Sequence, residues 1–209
     1  MFASTLSVLA LACTALAAPN VARAATSAPP SGFSISSVAA LGTGCPPGTS
    51  YVLVSGSHKY LRTDDNTALT AVFSEFYAVA GPEVSISQNR KACQLTVSVK
   101  VPAGYNFGLK NIESAGYYQL DSGVSASQGS YYYSSAWTEF RGPVQGKEYI
   151  GKVDYDLTGS VRSTCGKDVV LNILNDVRVN NSKNKQGSGA IAKDLVNLKQ
   201  TLNLDWQAC

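Results

Sequence analysis

The stretch Cys93-Gln94-Leu95-Thr96-Val97-Ser98-Val99-Lys100-Val101-Pro102 alternates between apolar and polar side chains. The odd-numbered residues from Leu95 to Val101 are aliphatic, whereas the even-numbered residues from Gln94 to Lys100 are polar. Because successive side chains of a strand point to opposite faces, this pattern predicts a strand with one buried and one solvated face. Pro102 has no backbone N–H for a sheet ladder and ends the strand. A half-buried strand needs partners, so the stretch predicts packed β-sheets.

The rest of the chain offers such partners in short segments rich in β-branched and aromatic residues. Turn-forming Gly, Pro, Asn and Asp separate these segments, and no convincing helix occurs between them. The pattern therefore predicts an all-β fold, a single antiparallel β-sandwich of the jelly-roll or immunoglobulin-like type. The predicted strands besides the quoted one are 33–38, 51–54, 67–73, 76–79, 117–124, 131–133, 137–141, 149–157, 168–179 and 195–206.

The first residues are typical of a secretory signal peptide. An apolar run from Leu6 to Ala18 contains the small-residue cleavage pattern Ala15-Leu16-Ala17, and Ala22-Arg23-Ala24 offers a second site. The run is shorter than the roughly 20 residues that span a bilayer, and no later segment is apolar enough to do so. We therefore predict a signal peptide at 1–17, a flexible tail at 18–32, one β-sandwich domain at 33–209, and a secreted, extracellular protein.

The cysteines support an oxidising compartment. Apart from Cys13 in the leader, the chain has Cys45, Cys93, Cys165 and Cys209, an even number that allows three pairings. We hypothesise two disulfides, Cys45–Cys93 and Cys165–Cys209, because this pairing closes one loop in each half of the chain. No Cys-x-x-Cys occurs and the chain has one histidine, so we expect neither a metal site nor a cofactor.

The charge pattern excludes two classes of partner. The formal net charge is +3, and no run of five or six like charges occurs. A nucleic-acid-binding stripe and a polybasic membrane patch are therefore not expected.

Four motifs carry a resemblance to a known family. They occur in the order Gly42-Thr43-Gly44-Cys45-Pro46, Arg90-Lys91-Ala92-Cys93-Gln94-Leu95, Gly116-Tyr117-Tyr118-Gln119-Leu120-Asp121-Ser122-Gly123-Val124 and Leu204-Asp205-Trp206-Gln207-Ala208-Cys209. With these motifs the chain resembles the secreted, mainly fungal family catalogued as domain of unknown function 4360, over about residues 33–209. The resemblance implies an extracellular β-rich domain with structural cysteines, and it brings no established activity and no catalytic residues.

Candidate catalytic residues are few. His58 is the single histidine, lies in a polar segment and has no Gly-x-Ser-x-Gly nucleophile motif to serve, so we interpret it as a loop residue. Asp64-Asp65-Asn66 is interpreted as a turn because it lacks the spaced ligands of a calcium loop. Carboxylate pairs can hydrolyse glycosidic bonds, and Asp154 and Asp156 share one strand face. The other carboxylates considered are Glu75, Glu83, Asp121 and Glu139.

The tyrosines are the most informative polar aromatic feature. We expect the segments that contain Tyr117 and Tyr131–Tyr133 to form a hairpin, with Tyr131 and Tyr133 on one face and Tyr132 on the other. Exposed rings can stack on the apolar faces of sugars, so Tyr117, Tyr131 and Tyr133 are the candidate ligand-binding residues. Trp137 and Trp206 are expected in the core.

One modification site is also expected. Asn180-Asn181-Ser182 is the single N-glycosylation sequon and lies in a polar segment, so Asn180 is the candidate glycosylation site in a eukaryotic host.

Two functions follow from these observations. The first is a secreted, non-enzymatic β-sandwich protein that binds through its surface to a cell wall, a glycan or an extracellular host protein. The alternative is a secreted, carboxylate-dependent glycan hydrolase. The shortage of catalytic groups favours the first function.

Overall fold

The computed structural model describes residues 25–26, 29–54, 68–133, 135–155, 162–192 and 198–209. These residues form strands and one short 3-10 turn, Ile86–Gln88, and contain no α-helix. The strands are β1 (Ala25–Thr26), β2 (Ser34–Leu41), β3 (Ser50–Val54), β4 (Ala68–Phe73), β5 (Ala78–Ala80), β6 (Arg90–Lys100), β7 (Tyr105–Leu120), β8 (Ser125–Tyr131), β9 (Ser135–Arg141), β10 (Val144–Asp154), β11 (Val169–Asn180), β12 (Gly189–Ile191) and β13 (Leu198–Ala208).

The described strands form two antiparallel sheets. The larger sheet has the order β3-β4-β13-β7-β12-β5, with β10 on the other side of β7 and β1 beside β13. The smaller sheet has the order β2-β6-β11-β8-β9. The fold is thus an all-β antiparallel sandwich, as the alternating patterns predict.

The quoted stretch is the second strand of the smaller sheet, β6. Its aliphatic residues from Leu95 to Val101 are almost completely buried, and the polar residues between them are exposed or half-buried. β6 pairs with β2 on one side and with β11 on the other, so that Val97 lies opposite Val38 and Leu171. The predicted faces of this strand are confirmed.

The hydrophobic core lies between the two sheets. Trp206 on β13 is completely buried, as predicted, and its ring centroid lies 5.0 Å from that of Phe33 and 5.1 Å from that of Phe107. Aromatic pairs at these separations stabilise a core beyond the area they bury. The last strand therefore contributes the centre of the core at this end of the sandwich.

Both hypothesised disulfides are present. Cys45 bonds to Cys93, which joins the turn after β2 to β6, with Cα atoms 5.6 Å apart. Cys165 bonds to Cys209, which joins the segment before β11 to the last residue, with Cα atoms 6.1 Å apart. In the chain-entropy model, closing loops of this length stabilises the fold by about 4 kcal/mol each.

A polar cluster also joins the two sheets inside the core. Gln200 on β13 donates through Nε2 to Asn175 Oδ1 on β11 at 2.8 Å, and lies within 3.3 Å of the hydroxyls of Ser114 and Ser130. Gln128 on β8 donates to Ser114 at 3.1 Å. These side chains are all buried, so the cluster fixes the relative position of the sheets rather than contacting solvent.

The predicted tyrosine hairpin is wrong. β7 carries Tyr117 and belongs to the larger sheet, whereas β8 ends at Tyr131 and belongs to the smaller sheet. The turn between them carries the chain from one sheet to the other. Asp121 in this turn accepts a hydrogen bond from the backbone N–H of Ser188 at 2.8 Å, which anchors the crossing to the segment before β12.

Two further findings concern the segment predicted as a tail and the possibility of a membrane-spanning helix. Ala25–Thr26 lies within the segment predicted as a tail and pairs with the end of β13. No helix among the described residues is long and apolar enough to cross a membrane.

Candidate functional site

The candidate site lies on the outer face of the smaller sheet. The register places Asp176 on β11, Gly129 on β8 and Trp137 on β9 side by side in one row across three strands. The neighbouring rows contain Arg90, Arg178, Ser127 and Glu139 on one side, and Gln94, Leu174, Tyr131 and Ser135 on the other. We refer to Trp137 and the side chains around it, namely Arg90, Arg178, Asp176, Tyr131 and Leu174, as the Trp137 platform.

Trp137 lies over a glycine of the neighbouring strand. A Cβ atom at Gly129 would lie 2.5 Å from Cδ2 of Trp137, so the indole packs directly against the backbone of β8. Packing of an aromatic ring over a cross-strand glycine is a known device that stabilises sheets. Trp137 nevertheless keeps 44% of its residue surface exposed.

The prediction that Trp137 belongs to the core is therefore wrong. Trp137 has the same parity on β9 as Glu139 and Arg141, which are exposed, whereas Ala136, Thr138 and Phe140 have the opposite parity and are half-buried. The charged neighbours at i+2 and i+4 were the sequence signal for the outer face.

Arg178 lies against the Trp137 ring. Its guanidinium carbon is 4.4 Å from the ring centroid, a cation–π contact. The sequence alone did not indicate this pair, because Arg178 comes from β11 and reaches Trp137 across β8.

A buried carboxylate holds two arginines on this face. Asp176 Oδ1 accepts a hydrogen bond from Nε of Arg178, and Asp176 Oδ2 accepts one from Nε of Arg90, both at 2.6 Å. The side chain of Asp176 is only 5% exposed, whereas those of the arginines are about half exposed. Charge-assisted bonds to a buried partner fix the position of a guanidinium group, so both arginines are preorganised at the surface.

Two of the three predicted ligand-binding tyrosines lie near the platform. Tyr131 is 52% exposed and pairs with Leu174, and Tyr133 is 65% exposed, whereas Tyr132 between them is buried. Tyr133 lies beyond the end of β8, has a positive φ of 34°, and its ring contacts that of Tyr132 at 4.5 Å. Tyr131 is thus part of the platform, and Tyr133 lies just past its edge.

Tyr117 is not part of this site. It lies on the outward parity of β7 in the larger sheet, and its ring packs over Gly146. A ligand bound at the Trp137 platform would be separated from Tyr117 by the thickness of the sandwich.

A cleft of about 500 Å³ adjoins the platform where β8 begins and where β9 and β11 end. Arg178 belongs to both the platform and the cleft. The candidate glycosylation residue, Asn180, also lines the cleft, and its Oδ1 accepts a hydrogen bond from the backbone N–H of Ser182 at 2.8 Å. The lining residues are Gly123, Val124, Ser125, Ala126, Ser127, Glu139, Arg141, Gly142, Arg178, Asn180, Ser182 and Lys183.

The carboxylates do not form an evident catalytic pair among the described residues. Asp154 is exposed and bonds to Lys152 at 3.0 Å. Near the cleft, Glu139 is paired with Arg141, and the oxygens of Asp176 are occupied by two guanidinium groups. The remaining described candidates, Glu75, Glu83 and Asp121, are exposed, and His58, Asp64-Asp65-Asn66 and Asp156 lie outside the described residues.

Three tyrosines have raised pKa values because they are buried. Burial raises the pKa of Tyr155 to about 12 and raises the pKa of Tyr132 and Tyr149 still further above the ordinary value. Their hydroxyls therefore stay protonated at neutral pH and do not supply a phenolate nucleophile.

Comparisons with known proteins identify a family and name no activity. The family described as "Domain of unknown function (DUF4360)" matches residues 31–209. A curated relative from Arthroderma benhamiae, described as "Uncharacterized secreted protein", is 35% identical over 178 residues, which cover 80% of this chain and 68% of the relative. The solved structure of TmCBM61 in complex with β-1,4-galactotriose aligns over 83% of this chain and 90% of its own, at 11% identity and a TM-score of 0.24. A likeness at that score carries no argument about a ligand of this chain.

Proposed function

The chain belongs to the DUF4360 family, and we propose that it is a secreted, non-enzymatic protein that binds glycan of a cell wall through the Trp137 platform. Secretion is supported by the leader pattern at 1–17, by the two disulfides and by the relative that is described as secreted. Among cell-wall components we choose glycan, because an exposed tryptophan among fixed arginines can stack on a sugar ring and donate hydrogen bonds to its hydroxyl groups.

The observation that supports glycan binding best is the exposed Trp137 held against Gly129 and beside Arg178. A pyranose ring has one face of C–H groups that packs on an aromatic ring, and hydroxyl groups around its edge that need hydrogen-bond partners. Trp137 offers the part of its ring that Gly129 and Arg178 leave exposed, and Arg90 and Arg178 offer guanidinium donors whose positions Asp176 has already fixed. Such a preorganised surface loses little conformational entropy on binding.

The proposal is tested by binding to purified wall polysaccharides, measured by depletion on insoluble polymers and by calorimetry on soluble ones. Trp137→Ala should weaken binding roughly ten-fold, because stacking on one ring contributes about 1–1.5 kcal/mol. Tyr51→Ala is the matched control, since Tyr51 is an exposed aromatic residue on β3 of the larger sheet. Equal affinity of wild type and Trp137→Ala for every polymer that binds would refute the proposed site.

The same polymers also test the alternative function. Release of new reducing ends during incubation, if abolished by Glu139→Gln, would identify a carboxylate-dependent hydrolase instead. A non-enzymatic binding protein leaves the number of reducing ends unchanged.

We also propose that Asn180 carries an N-linked glycan when the protein is made in a eukaryotic host. Asn180 is exposed, and its sequon begins at the last residue of β11 and continues into the turn that follows. The expected result is a mass increase on the peptide that contains Asn180, which Ser182→Ala abolishes. An unmodified peptide from the secreted protein would contradict this assignment.

A further inference from the structure

The cleft beside the Trp137 platform is basic. Of its lining residues, Arg141, Arg178 and Lys183 carry positive charge, and Glu139 is the one carboxylate. The hydroxyls of Ser125, Ser127 and Ser182 supply further hydrogen-bonding groups. Its volume of about 500 Å³ lies within the range of roughly 300–1,000 Å³ that is usual for small-ligand sites.

The cationic groups of the cleft remain available to a ligand. The bonds of Arg178 to Asp176 use Nε and Nη2, and no described residue accepts a hydrogen bond from its Nη1. The ion pair between Arg141 and Glu139 is 3.4 Å long with both side chains about 70% exposed, so solvent screens it. Lys183 is exposed and makes no ion pair with a described residue.

The cleft and the platform are continuous because Arg178 belongs to both. A glycan that covers Trp137 and continues along β8 and β9 would therefore pass over Arg178 into the cleft. There it would meet Arg141, Arg178 and Lys183, whose positive charges exceed the negative charges of Glu139 in the lining and of Asp176 bound to Arg178. A carboxylate on the glycan would pair with this excess charge, whereas a neutral sugar would not.

We infer that the site selects an anionic glycan, one that places a sugar ring on Trp137 and a uronic acid carboxylate in the basic cleft against Arg178 and Arg141. This inference rests on the proposed function and specifies its ligand class. A guanidinium group can bind a carboxylate with two parallel hydrogen bonds, so arginine is well suited to this role.

The test compares acidic polysaccharides with their own neutral forms. The affinity for polygalacturonate, alginate and hyaluronan is measured beside the affinity for the carboxyl-reduced form of each polymer. Dextran sulfate and dextran form a further pair, in which the acidic group is a sulfate instead of a carboxylate. The protein is produced in a bacterial periplasm, where disulfides form and Asn180 stays unmodified. We expect at least one uronate polymer to bind ten-fold or more tightly than its reduced form, with the difference lost at about 1 M salt, where the Debye length is ~3 Å.

Variants separate this inference from the proposed function. Arg141→Ala should weaken binding of the uronate polymer about five- to ten-fold and leave binding of a neutral polymer unchanged, whereas Trp137→Ala should weaken both. Lys110→Ala is the control, since it removes the same charge from an exposed position on β7 of the larger sheet.

Three outcomes would overturn the inference while leaving glycan binding intact. The first is equal affinity for the acidic polymers and their reduced forms. The second is an equal loss of affinity for the uronate polymer in Lys110→Ala and in Arg141→Ala. The third is binding of dextran sulfate that is as tight as, or tighter than, the binding of every uronate polymer. The last two would indicate general attraction of a basic protein to polyanions. Absence of binding to all polymers, or binding that Trp137→Ala does not affect, would instead refute the proposed function.

Discussion

Gly129 determines how the Trp137 ring lies on the smaller sheet. A hydrogen atom is the largest substituent that fits between the backbone of β8 and the indole, since a Cβ atom would lie 2.5 Å from the ring. The platform therefore depends on a residue that has no side chain.

Gly129→Ala should disrupt the platform without unfolding the protein. The added methyl group must displace the indole by about 1 Å to reach ordinary van der Waals distance, which also disturbs the contact with Arg178. We expect glycan affinity to fall roughly as far as in Trp137→Ala, while the unfolding free energy changes by less than about 2 kcal/mol. Affinity and thermal melts of the same sample provide the two measurements.

Gly151→Ala is the matched control. Gly151 lies on β10 of the larger sheet, and a Cβ atom there would meet its nearest neighbour at 3.4 Å, an ordinary contact. Affinity of Gly129→Ala equal to that of wild type would show that the position of the indole does not matter.

Among the elements, β6 shows how the sheet separates buried from solvated side chains. Val97 is completely buried, whereas Ser98 is half-buried on the outer face, where its hydroxyl accepts a hydrogen bond from Ser37 at 2.8 Å. Adjacent residues of one strand thus have very different surroundings.

Aspartate substitutions at these two positions should differ in their effect on stability. Val97→Asp places an unpaired carboxylate among aliphatic side chains and should lower the unfolding free energy by several kcal/mol. Ser98→Asp keeps the new charge on the solvated face and should cost less than about 1 kcal/mol. Chemical denaturation of both variants checks this, and equal midpoints would contradict the assignment of the two faces.

The elements also show where sequence reasoning succeeds and where it does not. The alternation in β6 predicts its two faces because burial acts residue by residue along a strand. The predicted strand 117–124 is wrong beyond Leu120, because β7 ends there and the chain turns at Asp121-Ser122-Gly123 and crosses to the other sheet. Turn composition reports a change of direction, and the partner of the next strand depends on contacts such as Asp121 with Ser188, which are distant in sequence.

The candidate site likewise has parts that the sequence predicts and parts that it does not. Strand parity predicts that Tyr131 and Tyr132 lie on opposite faces, but it does not say which face is exposed, and Tyr133 lies beyond the end of β8. Asp176 and its two arginines could not be found in this way, because Arg90 and Asp176 are 86 residues apart and meet through the pairing of β6 with β11. A single sequence does not contain that pairing.

At the scale of the whole molecule, buried tyrosines couple stability to alkaline pH. Burial raises the pKa of Tyr155 to about 12, and the phenol in an unfolded chain titrates near 10. The native state therefore holds its proton where the unfolded state has lost it. The stability that these tyrosines contribute is fully present below pH 10 and is lost as the pH rises towards 12.

Tyr149→Phe should reduce this sensitivity. Tyr149 is buried, burial raises its pKa, and its hydroxyl has no hydrogen-bond partner among the described residues. At pH 8 the variant should be as stable as wild type or up to about 1 kcal/mol more stable, since it removes an unpaired buried hydroxyl. Denaturant midpoints at pH 8 and pH 11 measure the difference, and an equal loss of stability in both proteins would contradict the role of Tyr149.

The central claim, that glycan binds on Trp137, is tested most directly by quenching of tryptophan fluorescence with acrylamide. The chain has two tryptophans, of which Trp206 is completely buried and Trp137 is 44% exposed, so quenching reports on Trp137. The variant Trp137→Phe gives the background quenching constant, since Trp206 is its remaining tryptophan. We predict that a polysaccharide shown to bind by depletion lowers the quenching constant of wild type towards that of Trp137→Phe. An unchanged quenching constant at saturating polysaccharide would place the glycan elsewhere on the molecule and contradict the account.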